Sequence, residues 1–555
     1  MSTPAQILAA YSVDGLFRDR RGMEVNPDTL WLRDRARVRL PAGTPIRNFF
    51  VNGFLLPESA DHPEANGPLG LRLKFNGVEQ VDFFPLPIDH FNCGITVSEP
   101  LIASDQPTEV EITLLGVERS NTLAWLGRLT AKWPLPRRWR QRLEAYRLQR
   151  LNQRLRLSQI IGDDEPIYDF KHATPLALAR RWRTPPTGVN LVGWFRATLG
   201  VGESARCMAR ACDAAALPAA LIDLRLNCLN PPSVDTFAAR LQNANPHPVN
   251  IFHVDPPASE EIDHHHGANF RKDKYNIAYW AWELPEFPDH WVKQAAHFHE
   301  IWCPSAFVRD AIAAKVSRPV HVMPHAISFP TPAANGRERF KLPTDRFLFL
   351  FAYDLNSYQE RKNPLAVVAA YRRAFPDERG VGLVIKTQNP ERNTEAYARL
   401  QAALTGLQHA QIITEALPSG DVHLLQAACD AFVSLHRAEG FGLSVAECMY
   451  LGKPVISTDW SATAEFVNVH NGCPVKCTLV KLTETHGPYQ QGQIWAEPNV
   501  EHAAEWMQRL VNEPALAQTL GQQAAADMRE RFAPAVIGAR YRRRLDAFAL
   551  WASEA

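Results

Sequence analysis

The sequence predicts an α/β protein with two doubly wound parallel-sheet domains facing each other across a cleft, preceded by a β-sandwich. Three observations predict it. Strand-like and helix-like segments alternate from Val189 onward. The alternation restarts at Arg346, which makes two domains rather than one. The first 130 residues instead alternate apolar and polar side chains with a period of two.

At 555 residues the chain implies three or four domains. A formal net charge of +1 gives no reason to expect nucleic acid as the main partner. Nine scattered cysteines, an odd number, suit a reducing cytosol better than a disulfide framework. Cys473 and Cys477 form one C-x3-C with no second pair, so no metal site is expected. The start, Met1 to Leu8, lacks a basic segment and a long apolar core, so no signal peptide is expected. No apolar run approaches the ~18–20 residues that span a bilayer. The expectation from these features is a cytoplasmic protein, free or peripheral at the inner face of the cytoplasmic membrane.

Residues 1–130 read as a β-sandwich accessory domain. Leu69, Leu71, Leu73 and Phe75 alternate with polar or small residues, and Asn76-Gly77 then supplies a hairpin turn. Val110, Ile112 and Leu114 alternate in the same way. Residues 131–186 read as a basic helical linker. From Arg128 to Arg156, ten basic residues are opposed only by Glu144, with Leu143, Tyr146, Leu148, Leu151 and Leu155 interleaved. Such a segment is either a solvated linker or a peripheral contact with an anionic membrane surface.

Residues 187–335 form the first alternating series. Its strands are predicted at Val189–Trp194, Ala219–Leu224, Val249–Val254, Ile277–Trp282, Ile301–Cys303 and Val320–Met323. Residues 336–555 form the second, with strands at Arg346–Tyr353, Val381–Lys386, Ile412–Thr414, Ala431–Leu435 and Pro454–Ser457. The stretch Val500–Ala549 reads as helical and could tie the domains together. Ligands of such sheets bind beyond the carboxyl ends of the strands, so two facing domains imply a cleft site.

The segment Glu439-Gly440-Phe441-Gly442-Leu443 through Glu447 carries the most chemistry. Gly440 and Gly442 permit close backbone approach, and a helix is predicted to begin near Leu443 or Ser444. Its free N–H groups and dipole favour a phosphate. Glu447, one turn in, suits ribose hydroxyls, and Glu439 would face a sugar. Arg361 and Lys362 stand just before a helix that opens with Pro364, where cations neutralise a diphosphate.

The run Arg361-Lys-Asn-Pro, Leu417-Pro-Ser, Asp430 through Glu447 and Leu451-Gly-Lys-Pro-Val-Ile-Ser-Thr-Asp-Trp-Ser resembles the retaining family 4 glycosyltransferases of the two-domain GT-B fold. The resemblance covers roughly residues 188–545. It implies an acceptor domain at 187–335 and a nucleotide-sugar donor domain at 336–555. In that family the two glutamates bracket the donor sugar and the ribose, and a basic residue matching Lys362 binds the diphosphate. Many members carry an arginine where Asn356 falls here, a role Arg361 or Arg437 could take. The loop from Gly193 to Arg206, with Gly200 and Gly202, faces the donor phosphate in similar enzymes. The family often places a catalytically important histidine where His253 lies, with Asp255 two positions on. Trp282 and Glu283, at an aromatic and acidic strand end, and Asp255 are acceptor-side candidates. His325 follows another strand, where family members bind donor or hold the hinge. His264, His265 and His266 read as solvated.

The implied reaction moves a hexose, such as mannose or rhamnose, from a GDP-, UDP- or dTDP-sugar to a glycan or polyprenyl-linked acceptor. It proceeds with retention and without an essential metal or other cofactor. A long form with a β module implies assembly of surface polysaccharide such as O-antigen or capsule. The competing possibilities are a non-catalytic carbohydrate-binding or assembly protein on the same scaffold, and a sugar-nucleotide epimerase or phosphorylase.

Overall fold

A computed structural model describes residues 12–17, 30–40, 48–55, 70–85, 89–96, 108–115, 155–162, 165–169 and 187–553, apart from 225, 227, 229, 231–233, 268, 317 and 333–335. The chain divides into two compact units, residues 1–184 with 547–555 and residues 185–546.

The first unit holds one nine-stranded antiparallel sheet. Its strands are β1 (Ser12–Phe17), β2 (Leu30–Leu40), β3 (Asn48–Leu55), β4 (Gly70–Phe75), β5 (Val78–Pro85), β6 (Asp89–Thr96), β7 (Thr108–Leu115), β8 (Leu155–Gly162) and β9 (Glu165–Asp169). The order is β5-β4-β7-β2-β8-β3-β6, with β1 on β2 and β9 on β8. The period-two pattern is realised in burial: Leu71, Leu73 and Phe75 point inward on β4, as do Val110, Ile112 and Leu114 on β7. Asn76 and Gly77 both take positive φ, 49° and 81°, which is the turn a two-residue hairpin requires. β3 and β4 are four strands apart in the sheet order, roughly 19 Å if the sheet were flat. Yet the Phe49 and Phe75 rings meet edge-on at 5.2 Å. The sheet therefore curls so that its two ends face each other, as a sandwich does, while remaining continuous.

The linker expectation needs correction here. Leu155 and Arg156 open β8, which pairs with β2 and β3, so the β region runs to Asp169, past the expected boundary at residue 130. Leu155-Arg-Leu-Ser is too short an alternation to separate from a helical stripe. The partner strand β3 also lies far back in the sequence. The remainder of the basic segment, 128–154, lies outside the described residues.

The second unit contains both α/β halves. In the first half, β10 (Val189–Gly193), β11 (Ala219–Asp223), β12 (Val249–His253), β13 (Tyr275–Tyr279), β14 (Glu300–Cys303) and β15 (Val320–Val322) form a parallel sheet of order β11-β10-β12-β13-β14-β15. In the second, β16 (Phe347–Ala352), β17 (Val381–Lys386), β18 (Ala410–Ile413), β19 (Ala431–Ser434), β20 (Val455–Thr458) and β21 (Cys473–Val475) form another of order β18-β17-β16-β19-β20-β21. Their runs are apolar and buried on both faces, as parallel strands under two helical layers must be. Two Rossmann-like domains facing across a cleft are the GT-B arrangement. The order reverses between β10 and β12 and between β16 and β19, and such switch points open the crevices where ligands sit.

Helix α1 (Gly200–Ala214) follows β10, and α2 (Ala306–Ala313) follows β14. In the second half, α3 (Pro364–Ala374), α4 (Thr394–Leu404), α5 (Ser419–Ala428) and α6 (Leu443–Tyr450) alternate with the strands. The chain ends in α7 (Val500–Asn512), α8 (Pro514–Arg531) and α9 (Pro534–Ser553). Helix α9 returns to the first half. Arg544 pairs with the fully buried Glu300 at 2.5 Å, and Tyr541 stacks on Trp302 at 5.4 Å. The expectation that the last helices tie the domains together is met. A hairpin, β22 (Cys477–Lys481) and β23 (Ile494–Pro498), was not anticipated. Its loop reaches across, so that Leu482, Tyr489 and Trp495 pack into the core of the first half. Among the described residues no helix is long and apolar enough to cross a membrane.

Candidate active site

A cleft of about 640 Å³ lies between the two halves, at the carboxyl ends of both sheets. Two helix starts open onto it, those of α1 and α6. At α6 the residue before the helix, Gly442, has φ of +93°. A Cβ there would meet Thr463 Cγ2 at 2.6 Å, so both conformation and space demand glycine. No side chain caps the helix, and Leu443, Ser444 and Val445 line the cleft with their amides unspent. Phe441 packs beneath, edge-on to His325 at 4.7 Å.

The cations arrive on a strained turn. Arg361 and Lys362 end the short helical turn Gln359–Lys362, bracketed by Tyr358 at φ +59° and Asn363 at φ +57°. Non-glycine residues in that region cost of order 1 kcal/mol or more each, and they cluster at functional sites. The turn is held by hydrogen bonds from Arg437, whose N–H donates to the Arg361 carbonyl at 2.8 Å and whose guanidinium donates to the Glu360 carbonyl at 2.6 Å. Lys362 Nζ then lies 2.5 Å from Glu439 Oε1, and Arg361 Nη1 lies 3.3 Å from the same oxygen. Burial alone would raise the Glu439 pKa, but Lys362 and Arg361 outweigh it and hold the carboxyl at about 2. Burial draws Lys362 below the usual ammonium range, against the pull of Glu439.

The first half contributes the opposite wall. Glu283 lines the cleft and is pinned from the second half: Tyr489 OH donates to its Oε2 at 3.1 Å, and Arg361 Nη2 stands 3.7 Å from its Oε1. Asp255 is accessible to the cleft but hemmed in by protein. That confinement first, and the Glu283 carboxylate second, raise its pKa to about 6.

The sequence-predicted residues separate accordingly. Glu439, Arg361, Lys362, Gly440, Phe441, Gly442, Leu443, Glu447, Gly200, Glu283 and Asp255 all line the cleft. Glu447 accepts from Gln426 Nε2 at 2.7 Å and lies 3.8 Å from His423 Nε2. Gly202 is the third residue of α1, where a Cβ would meet the Trp194 carbonyl at 2.5 Å; it serves close helix packing. Trp282 is buried in the core with Nε1 donating to the Glu286 carbonyl at 2.9 Å, so it offers no face to a sugar. His253 is fully buried, its Nδ1 2.9 Å from Ser204 Oγ and its Nε2 3.3 Å from Met208 Sδ, and it does not line the cleft. Its position as last residue of β12 turns the ring under α1. Two histidines do line the cleft, His423 beside Glu447 and His325 on the first half's wall. Tyr279 OH donates to the Met323 carbonyl at 2.7 Å and lies 3.2 Å from His325 Nδ1. The hydroxyl proton is thus spent, so Nδ1–H donates to Tyr279 and Nε2 is left as the acceptor. Burial lowers the His325 pKa to about 3, keeping the ring neutral.

Asn356 accepts from Asn393 at 2.8 Å and donates to Asn230 of the first half at 3.3 Å. Asn230 in turn donates to Asp354 at 2.9 Å, as does Gln388 at 2.6 Å. This polar cluster joins the halves at the position where the resemblance leads one to expect an arginine. Arg437 cannot replace that arginine, because Glu497 holds it at 2.6 Å and it does not line the cleft. Arg361 does line it.

Residues 334–527 match the family model described as "Glycosyl transferases group 1". The chain thus carries a group 1 glycosyltransferase domain in its second half, the half that holds Lys362, Glu439 and Glu447. No curated protein matches the chain. Similar solved structures include HepE of Anabaena in complex with UDP and glucose, at 14% identity and TM-score 0.48, covering 65% of this chain and 100% of that one. Sucrose-phosphate synthase from Thermosynechococcus elongatus matches at 14% identity and TM-score 0.48, covering 64% and 97%. A glycosyltransferase from Rickettsia africae matches at 12% and 0.48, covering 65% and 98%.

Proposed function

We propose that this protein is a retaining, metal-independent hexosyltransferase that moves a sugar from a GDP-, UDP- or dTDP-linked donor to a glycan or lipid-linked acceptor in surface polysaccharide biosynthesis. One observation carries the reading: the uncapped α6 start, Lys362, Arg361 and Glu439 converge on one wall of the cleft. The diphosphate sits against the α6 amides, with Lys362 and Arg361 beside it. As the glycosidic bond breaks, negative charge grows on the leaving oxygen, and these donors stabilise it more in the transition state than in the ground state. Glu439, held at about 2, stays ionised at neutral pH. It therefore cannot donate a proton, and it stabilises the positive charge that develops on the sugar ring. Glu447 accepts from the ribose. Glu283 and Asp255 accept from acceptor hydroxyls on the facing wall. The acceptor proton passes to the leaving diphosphate, which remains on the same face as the incoming hydroxyl.

The test is steady-state transfer, or donor hydrolysis where no acceptor is at hand. Glu439→Gln and Lys362→Ala each lower turnover by roughly 10²-fold or more, the scale of losing one charge-stabilising donor. Near-normal rates in both would remove these residues from the chemistry. The acceptor is a growing glycan on a lipid carrier, worked on at the cytoplasmic face of the membrane, with the basic segment 128–154 making peripheral contact with anionic lipid.

A further inference from the structure

We propose that Lys386 reads the nucleobase of the donor and restricts it to keto bases (uracil, thymine or guanine) over adenine and cytosine. The inference rests on the donor-site reading above and deepens it. Lys386 is the last residue of β17, lines the cleft, and is only 7% exposed. Its ammonium donates to the Thr387 carbonyl at 2.7 Å. An ammonium carries three donors and no acceptor, so donors remain for a ligand in the cleft. Burial lowers its pKa to about 8, while Asp354 and Glu415 act on it through space.

Its place in the sheet separates it from the phosphate. β17 stands two strands from β19 in the sheet order, roughly 10 Å at the usual strand spacing. A phosphate seated on the α6 start is out of its reach, but the far end of a nucleoside is not. Glu447 on α6 and His423 on α5 stand 3.8 Å apart in the cleft wall, and the start of α5 leads on from them. There Leu417 and Val422 line the cleft. Lys386 is in register with Ile413 on β18, the strand that feeds this loop. Apolar side chains beside a single buried cation suit a flat heteroaromatic ring with an acceptor on its edge. Thymine and uracil present O4 there and guanine presents O6 and N7 together, whereas cytosine presents an amino group and adenine sets its amino group beside N7. A donor-only ammonium finds acceptors alone in the first set, and in the second it meets an amino donor that opposes it.

The experiment is isothermal titration of the full chain with UDP, dTDP, GDP, ADP, CDP and inorganic pyrophosphate, repeated for Lys386→Met and Lys386→Arg. The wild type is expected to bind one of the keto nucleotides tightest, ~10-fold or more above ADP and CDP. Lys386→Met is expected to lose roughly 10- to 100-fold for that nucleotide, the range of a hydrogen bond to a charged group, and to leave ADP, CDP and pyrophosphate unchanged. Lys386→Arg, which keeps charge and donors, retains the preference. Should ADP or CDP bind as tightly as the keto nucleotides to the wild type, the proposal is overturned without recourse to any variant. Equal loss of every nucleotide and of pyrophosphate in Lys386→Met would make the lysine a phosphate ligand and also overturn it. Absence of binding by all six would instead overturn the donor site itself.

Discussion

Glu439 and the buried histidines answer to acid in opposite ways. Glu439 has a folded pKa depressed to about 2. Its pairing therefore stabilises the fold above the ordinary glutamate range and is lost only as pH falls from there towards 2. His436, held between Ser434 and Thr463, is lowered to about 4 by burial, and His325 to about 3. For these the unfolded chain binds the proton first, so stability is full above about 6.5 and declines as pH falls towards 4 and 3. Each contributes a slope of about 1.4 kcal/mol per pH unit in that window. Urea midpoints measured from pH 7 to 5 should fall, and His436→Asn should flatten the curve by one such slope. An unchanged curve would mean that the ring titrates normally in the fold. Among the functional residues, Glu439, Glu447, Arg361 and Lys362 were legible because each lies on a short local motif whose backbone fixes its direction. His253 and Trp282 were not, because a side chain at a strand end faces cleft or core according to its register. Lys386 gave no local signal beyond a lysine closing an apolar strand.

At the scale of elements, the α6 start depends on Gly442. Gly442→Ala puts a Cβ at positive φ and 2.6 Å from Thr463, a loss on the order of 1–3 kcal/mol. Thermal denaturation should register it, and titration with the best-bound nucleotide should show weaker affinity as the amides shift. Full affinity would place the diphosphate elsewhere. The parallel strands were read almost in full, since each is a short apolar run rich in β-branched and aromatic residues, and their alternation with helix-length segments decides between strand and buried helix. Strand β8 was masked by its basic neighbours. The hairpin β22–β23 was missed because its meaning is long-range: Tyr489 becomes important only when it reaches Glu283 in the other half.

Across the whole molecule, the two α/β halves are docked by contacts that bear on the cleft. Ser305 Oγ donates to the Gly440 carbonyl at 2.8 Å, Asn230 joins Asp354, and Tyr489 joins Glu283. The two halves and their facing geometry followed from the repeated alternation, whereas these contacts arise only after folding. The basic segment can be tested without disturbing the sheet. Because Leu155 and Arg156 belong to β8, Arg137, Arg138, Arg140 and Arg142 are exchanged for Gln rather than deleted. Flotation with anionic vesicles should then weaken, by about 1 kcal/mol per charge removed near the surface. Equal flotation would leave the segment a linker alone. The return of α9 has a consequence for biosynthesis. Glu300 lies fully buried among Tyr275, Trp302 and Arg544, and that arginine stands 244 positions further along the chain. The half that leaves the ribosome first must therefore wait for α9 before its core is complete, and a chain cut ahead of α9 would harm the earlier domain as well as the later one.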